Sequence, residues 1–407
     1  MVRSSLHLRA LLFVGAALLP ATNAAAQPVS FVRTEVVSPV PSNPVASGRR
    51  LRRALADITG ASATNPYLIK VEPGVYDLDG RSLAMRPFID IEGSGEGVTI
   101  VQSTVNAVGT VQGADHAELR TLTVVNFDAT DGVALASSAA GFTASHVTCL
   151  ARNGSNSSTA LDNFAAGGGT FRDMTLRAEG SRVATAANLS GGLLLRARAF
   201  ASGDEFVYGV FNASSAGENI DVTSEVVGDS YATAFRNEAG GPLLRNVRAS
   251  AHSVGISEGI VNGNGSAARI QGAVIDVSGG TSFASGIRNE FSSAQISDAA
   301  ITVDAPSSAF GVVSSLSGAP ALRNLTVRVT AGGHGVGVKS DATQVTVEAS
   351  AISADGFSLA NAFGAPTTTL RVGASRLEGA VQAGGGALRC VGSYDQSFAP
   401  LGMGCTP

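Results

Sequence analysis

Apolar and polar residues alternate with a period of two along many short stretches of this chain. Leu322-Arg323-Asn324-Leu325-Thr326-Val327-Arg328-Val329 is representative, with the leucines and valines turned inward and the arginines and Thr326 outward. A second kind of stretch ends on asparagine, as in Tyr208-Gly209-Val210-Phe211-Asn212 and Glu258-Gly259-Ile260-Val261-Asn262. Gly, Ser, Ala and Asp fill the segments between, as turns do. The unit returns about every 25 residues between 119 and 375. Its apolar beat is Leu122, Val147, Met174, Ala197, Val222, Val247, Ala273, Ala299, Leu325, Ala349 and Ala374. A period of this size means stacked supersecondary units. A propeller blade needs about 40 residues, and the absence of long helical patterns excludes leucine-rich, ankyrin and tetratricopeptide repeats. The remaining reading is an all-β chain, a parallel β-helix with one rung per repeat.

Asn163, Asn188, Asn212, Asn237, Asn262 and Asn289 keep the same beat. Rungs of a β-helix stack about 4.8 Å apart. An amide at one corner of each rung can donate to one neighbour and accept from the other, so buried polar groups stay paired. Asn also tolerates the left-handed backbone of a tight corner. These six residues are therefore expected to form a structural ladder rather than a ligand site. Ser314 and Ser340 continue it at the next beats.

Before the repeats, residues 27–46 read as an extended lead-in rich in Pro, Ser and Val. Residues 47–59 read as an amphipathic helix capped by Ser47, with Leu51, Leu55 and Ile58 on one face. Terminal rungs of a solenoid need covering, so residues 47–64 are assigned as an N-terminal cap. The runs Tyr67–Glu72, Val75–Leu78, Phe88–Ile91 and Val98–Val101 are short strands split by turns. They open a right-handed parallel β-helix expected over residues 65–387, with a C-terminal closure over 388–407.

Composition sharpens this. With 49 glycines, no Trp and 5% aromatics, the core must close-pack small and β-branched side chains. Formal net charge is −4, and no basic face suggests a nucleic-acid partner. Arg3 and Arg9, the apolar run Leu11–Leu19 and Ala24-Ala25-Ala26 form a signal-peptide pattern over residues 1–26. The mature chain is thus expected to be exported, periplasmic or extracellular, after cleavage near Ala26. No later run of 18 apolar residues predicts a transmembrane helix. Cys390 and Cys405 suit an oxidising compartment and are expected to join in a disulfide. Cys149, in an apolar alternation, reads as a buried small hydrophobe.

Residues 65–100, the serial rungs and the tail Leu388-Arg389-Cys390-Val391-Gly392-Ser393-Tyr394-Asp395 resemble secreted bacterial β-helix proteins of the pectin-lyase-like superfamily. That superfamily includes pectate lyases, pectin methylesterases and polygalacturonases. Their catalytic strings are missing from this chain, apart from a lone Gly333-His334-Gly335 without its companions. No Asp cluster for calcium, no metal-ligand spacing, no Ser nucleophile elbow and no phosphate loop is visible. No catalytic residue, cofactor or metal is therefore assigned. One pattern does recur: Arg236-Asn237-Glu238 and Arg288-Asn289-Glu290 lie two rungs apart. Arg236, Glu238, Arg288 and Glu290 are the candidate binding residues, about 10 Å apart between sets by rung stacking. The expectation is a non-catalytic protein presenting an extended face to a polysaccharide or cell-surface component. The alternative is a polysaccharide lyase or glycoside hydrolase with an unrecognised site.

Overall fold

A computed structural model describes residues 33–164, 168–213, 217–341, 344–361 and 368–407. The signal-peptide segment expected at 1–26 lies outside the described residues. The rest is an all-parallel β-solenoid of about 12 turns. Three sheets run its length. The first carries Arg33–Val37, then Tyr67–Val71, and from there one short strand per turn, such as Thr170–Arg172 and Ala321–Arg323. The second carries Thr175–Gly180, Arg248–Ser253 and Thr326–Ala331 among others. The third carries Phe206–Asn212, Tyr231–Glu238, Ile256–Gly263 and Phe283–Glu290.

The solenoid begins earlier than residue 65. Arg33–Val37 pairs in parallel with Tyr67–Val71, so part of the expected lead-in is already sheet. The single helix among the described residues spans Pro44–Asp57 and also starts early. Its N-cap is Asn43, whose side chain accepts from Ala46 N at 3.0 Å, with Pro44 at the first helical position, where its missing N–H costs nothing. Ser47 is instead buried, and its hydroxyl accepts from Val40 N at 2.8 Å. Leu51 and Leu55 face the core. A Cβ on Gly48 would sit 1.9 Å from Asp77 O, so only glycine lets the helix lie this close to the first turns.

The apolar beat from Leu122 to Leu325 is buried throughout. Ala349 and Ala374 are exceptions. Both are exposed and stand on a left-handed corner, with φ of 48°. The inward positions there belong to Ser350 and Ser375. The corner column includes Asp173, Arg196, Asp221, Asn246, Asp298 and Asn324, all with φ near +50°. The left-handed backbone therefore belongs to these residues and not to the Asn ladder.

Asn212, Asn237, Asn262 and Asn289 stand in register at the inner end of the third sheet. Each Nδ2 donates onward, at 2.7 Å from Asn212 to Asn237, 2.8 Å from Asn237 to Asn262, 2.8 Å from Asn262 to Asn289, and 3.2 Å from Asn289 to Ser314 Oγ. Asn163 occupies the same column and donates to the carbonyls of Gly168 and Gly191. Asn188 does not belong to it. Leu189 holds the ladder position in that turn, and Asn188 faces outward beside Asp162. Only Leu189 has an apolar side chain to bury.

A second column of the third sheet is nearly devoid of side chains: Gly209, Gly259, Gly286, Gly311 and Gly337. A Cβ at Gly286 would lie 2.2 Å from Ile301 Cγ2, and one at Gly311 2.2 Å from Val327 Cγ1. The β-branched residues of the second sheet fill that space, which is how a core without Trp reaches close packing. At the far end, Cys390 and Cys405 form a disulfide with Cα atoms 5.1 Å apart, and Cys390 N donates to Met403 O. Cys149 is fully buried, and burial pushes its thiol pKa up, so it is inert.

Candidate functional site

The four arginines and glutamates singled out from the sequence meet on the outer face of the third sheet. Arg236 and Glu238 lie on Tyr231–Glu238, and Arg288 and Glu290 two turns on, on Phe283–Glu290. Residues two apart on a strand share a face, so each arginine pairs with its own glutamate. Arg236 Nε donates to Glu238 Oε1 at 2.6 Å, and Arg288 Nη1 to Glu290 Oε1 at 2.6 Å.

The turn between supplies two partners that spacing alone did not suggest. Glu258 stands in the outward column with Tyr208, Thr233 and Phe310, yet its side chain is 0% exposed. Arg288 closes over it, with Nε 2.5 Å from Oε1 and Nη2 3.1 Å from Oε2. The Tyr231 hydroxyl donates to Glu258 Oε2 and accepts from Arg288 Nη2 at 3.1 Å. Burial raises the Glu258 pKa, against the opposing charge of Arg288 and the hydrogen bond from Tyr231. Burial also pushes the Tyr231 pKa upward, and the Glu258 charge adds to this. These hydrogen bonds fall on Glu258 Oε2, while Oε1 is buried in ion-pair contact with Arg288 Nε and has no hydrogen bond among the described residues, so the carboxylate serves to hold Arg288 in place. The signal for Glu258 was available in principle. It is the one carboxylate in the strand Ile256–Gly263, 25 residues after Thr233.

Aromatic rings surround this ion cluster. Phe206 and Tyr231 lie 6.0 Å apart, Tyr208 and Tyr231 6.2 Å, and Tyr208 and Phe211 5.6 Å. The Arg236 guanidinium lies over both Tyr208 and Phe211, at 5.8 and 6.0 Å. Further along, Phe283 stacks on Phe310 at 5.2 Å, and Lys339 sits 5.4 Å over Phe310. Toward the N-terminal end, the same face holds Asp162 in a cleft of about 170 Å³ walled by Phe164. Burial pushes Asp162 up to about 6, partly offset by the hydrogen bond from Asn188.

A second charged cluster lies on the first sheet. Arg120 contacts Glu92 at 2.9 Å, Glu118 at 2.8 Å and Asp90 at 3.3 Å, while Lys70 and Arg172 pair with Glu92 and Glu118. Three cations balance three carboxylates, and the cluster reads as a stabilising network. Among the described residues no group of three or more His, Cys, Asp or Glu is placed to hold a metal, and no helix is long and apolar enough to cross a membrane.

No protein-family model matches the sequence, and no curated protein does. Solved structures do. The A-module of mannuronan C-5 epimerase AlgE6 of Azotobacter vinelandii aligns over 88% of this chain and 96% of its own, at 15% identity and a TM-score of 0.51. The catalytic unit of a GH87 α-1,3-glucanase from Streptomyces thermodiastaticus aligns over 90% and 70%, at 14% identity and 0.45. Tailspike protein 3 of bacteriophage CBA120 aligns over 89% and 60%, at 10% identity and 0.45. The likeness to the epimerase module is one of fold, the right-handed parallel β-helix.

Proposed function

We propose that this chain is an exported protein that binds a polysaccharide along the outer face of its third sheet and does not cleave it. One observation carries the reading: rings and guanidiniums line that face, while its most buried carboxylate is shut away beneath Arg288 and Tyr231. Aromatic faces present broad apolar surface beside polar edges, which suits the C–H face and hydroxyls of a sugar ring. Arg236 and Arg288, held by their glutamates, keep fixed N–H groups for hydroxyl or carboxylate oxygens. The epimerase that shares the fold is named for a polysaccharide, mannuronan, which supports the ligand class.

The test is a glycan array followed by incubation with acidic polysaccharides, with and without calcium. Retention without turnover is expected, weakened by Tyr208→Ala and Arg236→Ala. New reducing ends or unsaturated products would overturn the reading. They would favour the alternative, a lyase or hydrolase, for which the Tyr231–Glu258 contact is the specific support. Glu258→Gln would then abolish turnover.

A further inference from the structure

The cleft beside Asp162 has a chemistry of its own. Gln112, Ala136, Asp162 and Asn188 stand in one register column on successive turns. Ala136 has the shortest side chain of the four, so a notch opens between Gln112 and Asp162. It measures about 170 Å³, below the roughly 300–1,000 Å³ of drug-sized sites, so its occupant is small.

The polar atoms at the notch are acceptors. Asp162 is only 9% exposed. Its Oδ1 accepts from Asn188 Nδ2 at 2.9 Å, and among the described residues its Oδ2 has no hydrogen bond or ion pair. Gln112 Nε2 donates to Ser82 Oγ at 2.9 Å, which leaves Gln112 Oε1 without a donor among the described residues. The rim is apolar. Val108 and Phe164 line it, both exposed, and Phe164 is anchored by its N–H, which donates to Ser137 O at 2.8 Å. A buried carboxylate is costly unless a cation pairs with it. Burial pushes Asp162 up to about 6, the mark of a carboxylate that still lacks one.

We propose that this cleft binds a small alkylammonium ion, with its N–H groups on Asp162 Oδ2 and Gln112 Oε1 and its alkyl tail between Val108 and Phe164. An ammonium is a donor on every side and accepts nothing, which complements a notch of free acceptors. Hydrogen bonds between ions are about twice as strong as neutral ones, and the Phe164 ring attracts a ligand cation through its face. The ligand is a small cation rather than a sugar chain, so the proposal does not rest on the polysaccharide reading.

Calorimetric titration of the full chain at pH 7.5 with n-butylammonium chloride, and with n-butanol as the neutral counterpart, tests it. Butylammonium is expected to bind, and butanol at least about tenfold more weakly, because the charge-assisted pair is missing. Asp162→Asn is expected to weaken butylammonium about tenfold while leaving circular dichroism unchanged. Ala136→Leu, which fills the notch and keeps the charge, should weaken it as well. Glu225→Gln removes an exposed carboxylate of the second sheet and should change nothing. No butylammonium binding, equal affinity for butanol, an unchanged affinity in Asp162→Asn, or an equal loss in Glu225→Gln would overturn the proposal. A further titration with Nα-acetyl-lysine methylamide separates the sources of such a group. Binding there as well would support the site and extend it to lysine side chains of a protein, and binding of butylammonium alone would support it for free amines.

Discussion

Replacing Arg288 by methionine isolates the energetics of the ion cluster. The change removes the guanidinium 2.5 and 3.1 Å from the Glu258 carboxylate and leaves Tyr231 and Thr233 as its hydrogen-bond donors. Removing one partner of a buried pair costs about 3–5 kcal/mol. Arg288 keeps a 23% exposed edge, so the lower end, about 3 kcal/mol, applies. The pH dependence gives the signature. The Glu258 pKa is already raised by burial, and without Arg288 it rises further. A raised carboxylate pKa means the fold favours the neutral form. That stabilisation is fully present below the ordinary carboxylate range and is lost as pH rises through the folded value. The deficit of Arg288→Met should therefore be largest at pH 8 and shrink toward pH 4. The double variant Glu258→Gln/Arg288→Met should recover most of it at pH 8. Urea unfolding followed by far-UV circular dichroism suits a chain without Trp. A deficit equal at pH 4 and pH 8, or a double variant no better than the single, would refute the account.

Asn237→Ala should cost about 1–3 kcal/mol in the same assay, because Asn212 and Asn262 each lose a buried amide partner; Asn188→Ala should cost less, since that side chain faces outward, and equal costs would dismiss the ladder. Gly311→Ala places a methyl 2.2 Å from Val327 Cγ1 and should destabilise by about 1–3 kcal/mol, unlike a simple gain in strand propensity. Asp162, pushed up to about 6, contributes stability below the ordinary carboxylate value that is lost as pH rises through about 6. Asp162→Asn should flatten stability between pH 4 and 6, and a carbon-detected NMR titration of Asp162 with a midpoint near 4 would contradict this.

The rung period was readable because side-chain parity and turn composition repeat together. What spacing could not resolve was a shift of one residue. Turns in successive rungs differ by a residue or two, so a beat of 25 can land on a column or on its neighbour. Asn188 and Ala374 both fall on the neighbour. In the first case Leu189 takes the inward position, and in the second Ser375 does. The Arg-Asn-Glu repeats were visible as strings, which brought Arg236, Glu238, Arg288 and Glu290 to one face. Tyr231 and Glu258 were not, because each belongs to a different turn and meets Arg288 only through stacking.

The left-handed corner carries a consequence for how such a chain can change over generations. In each turn the corner N–H donates to a carbonyl of the following turn, from Asp173 to Leu195, Arg196 to Ile220, Asp221 to Arg245 and Asn246 to Gln271. The donor is the backbone, so Asp, Arg, Asn and Gly all serve there. A duplicated or deleted unit of one rung would meet the same join on both sides. Lengthening or shortening the molecule then needs no new backbone geometry, only a copying error of one whole unit.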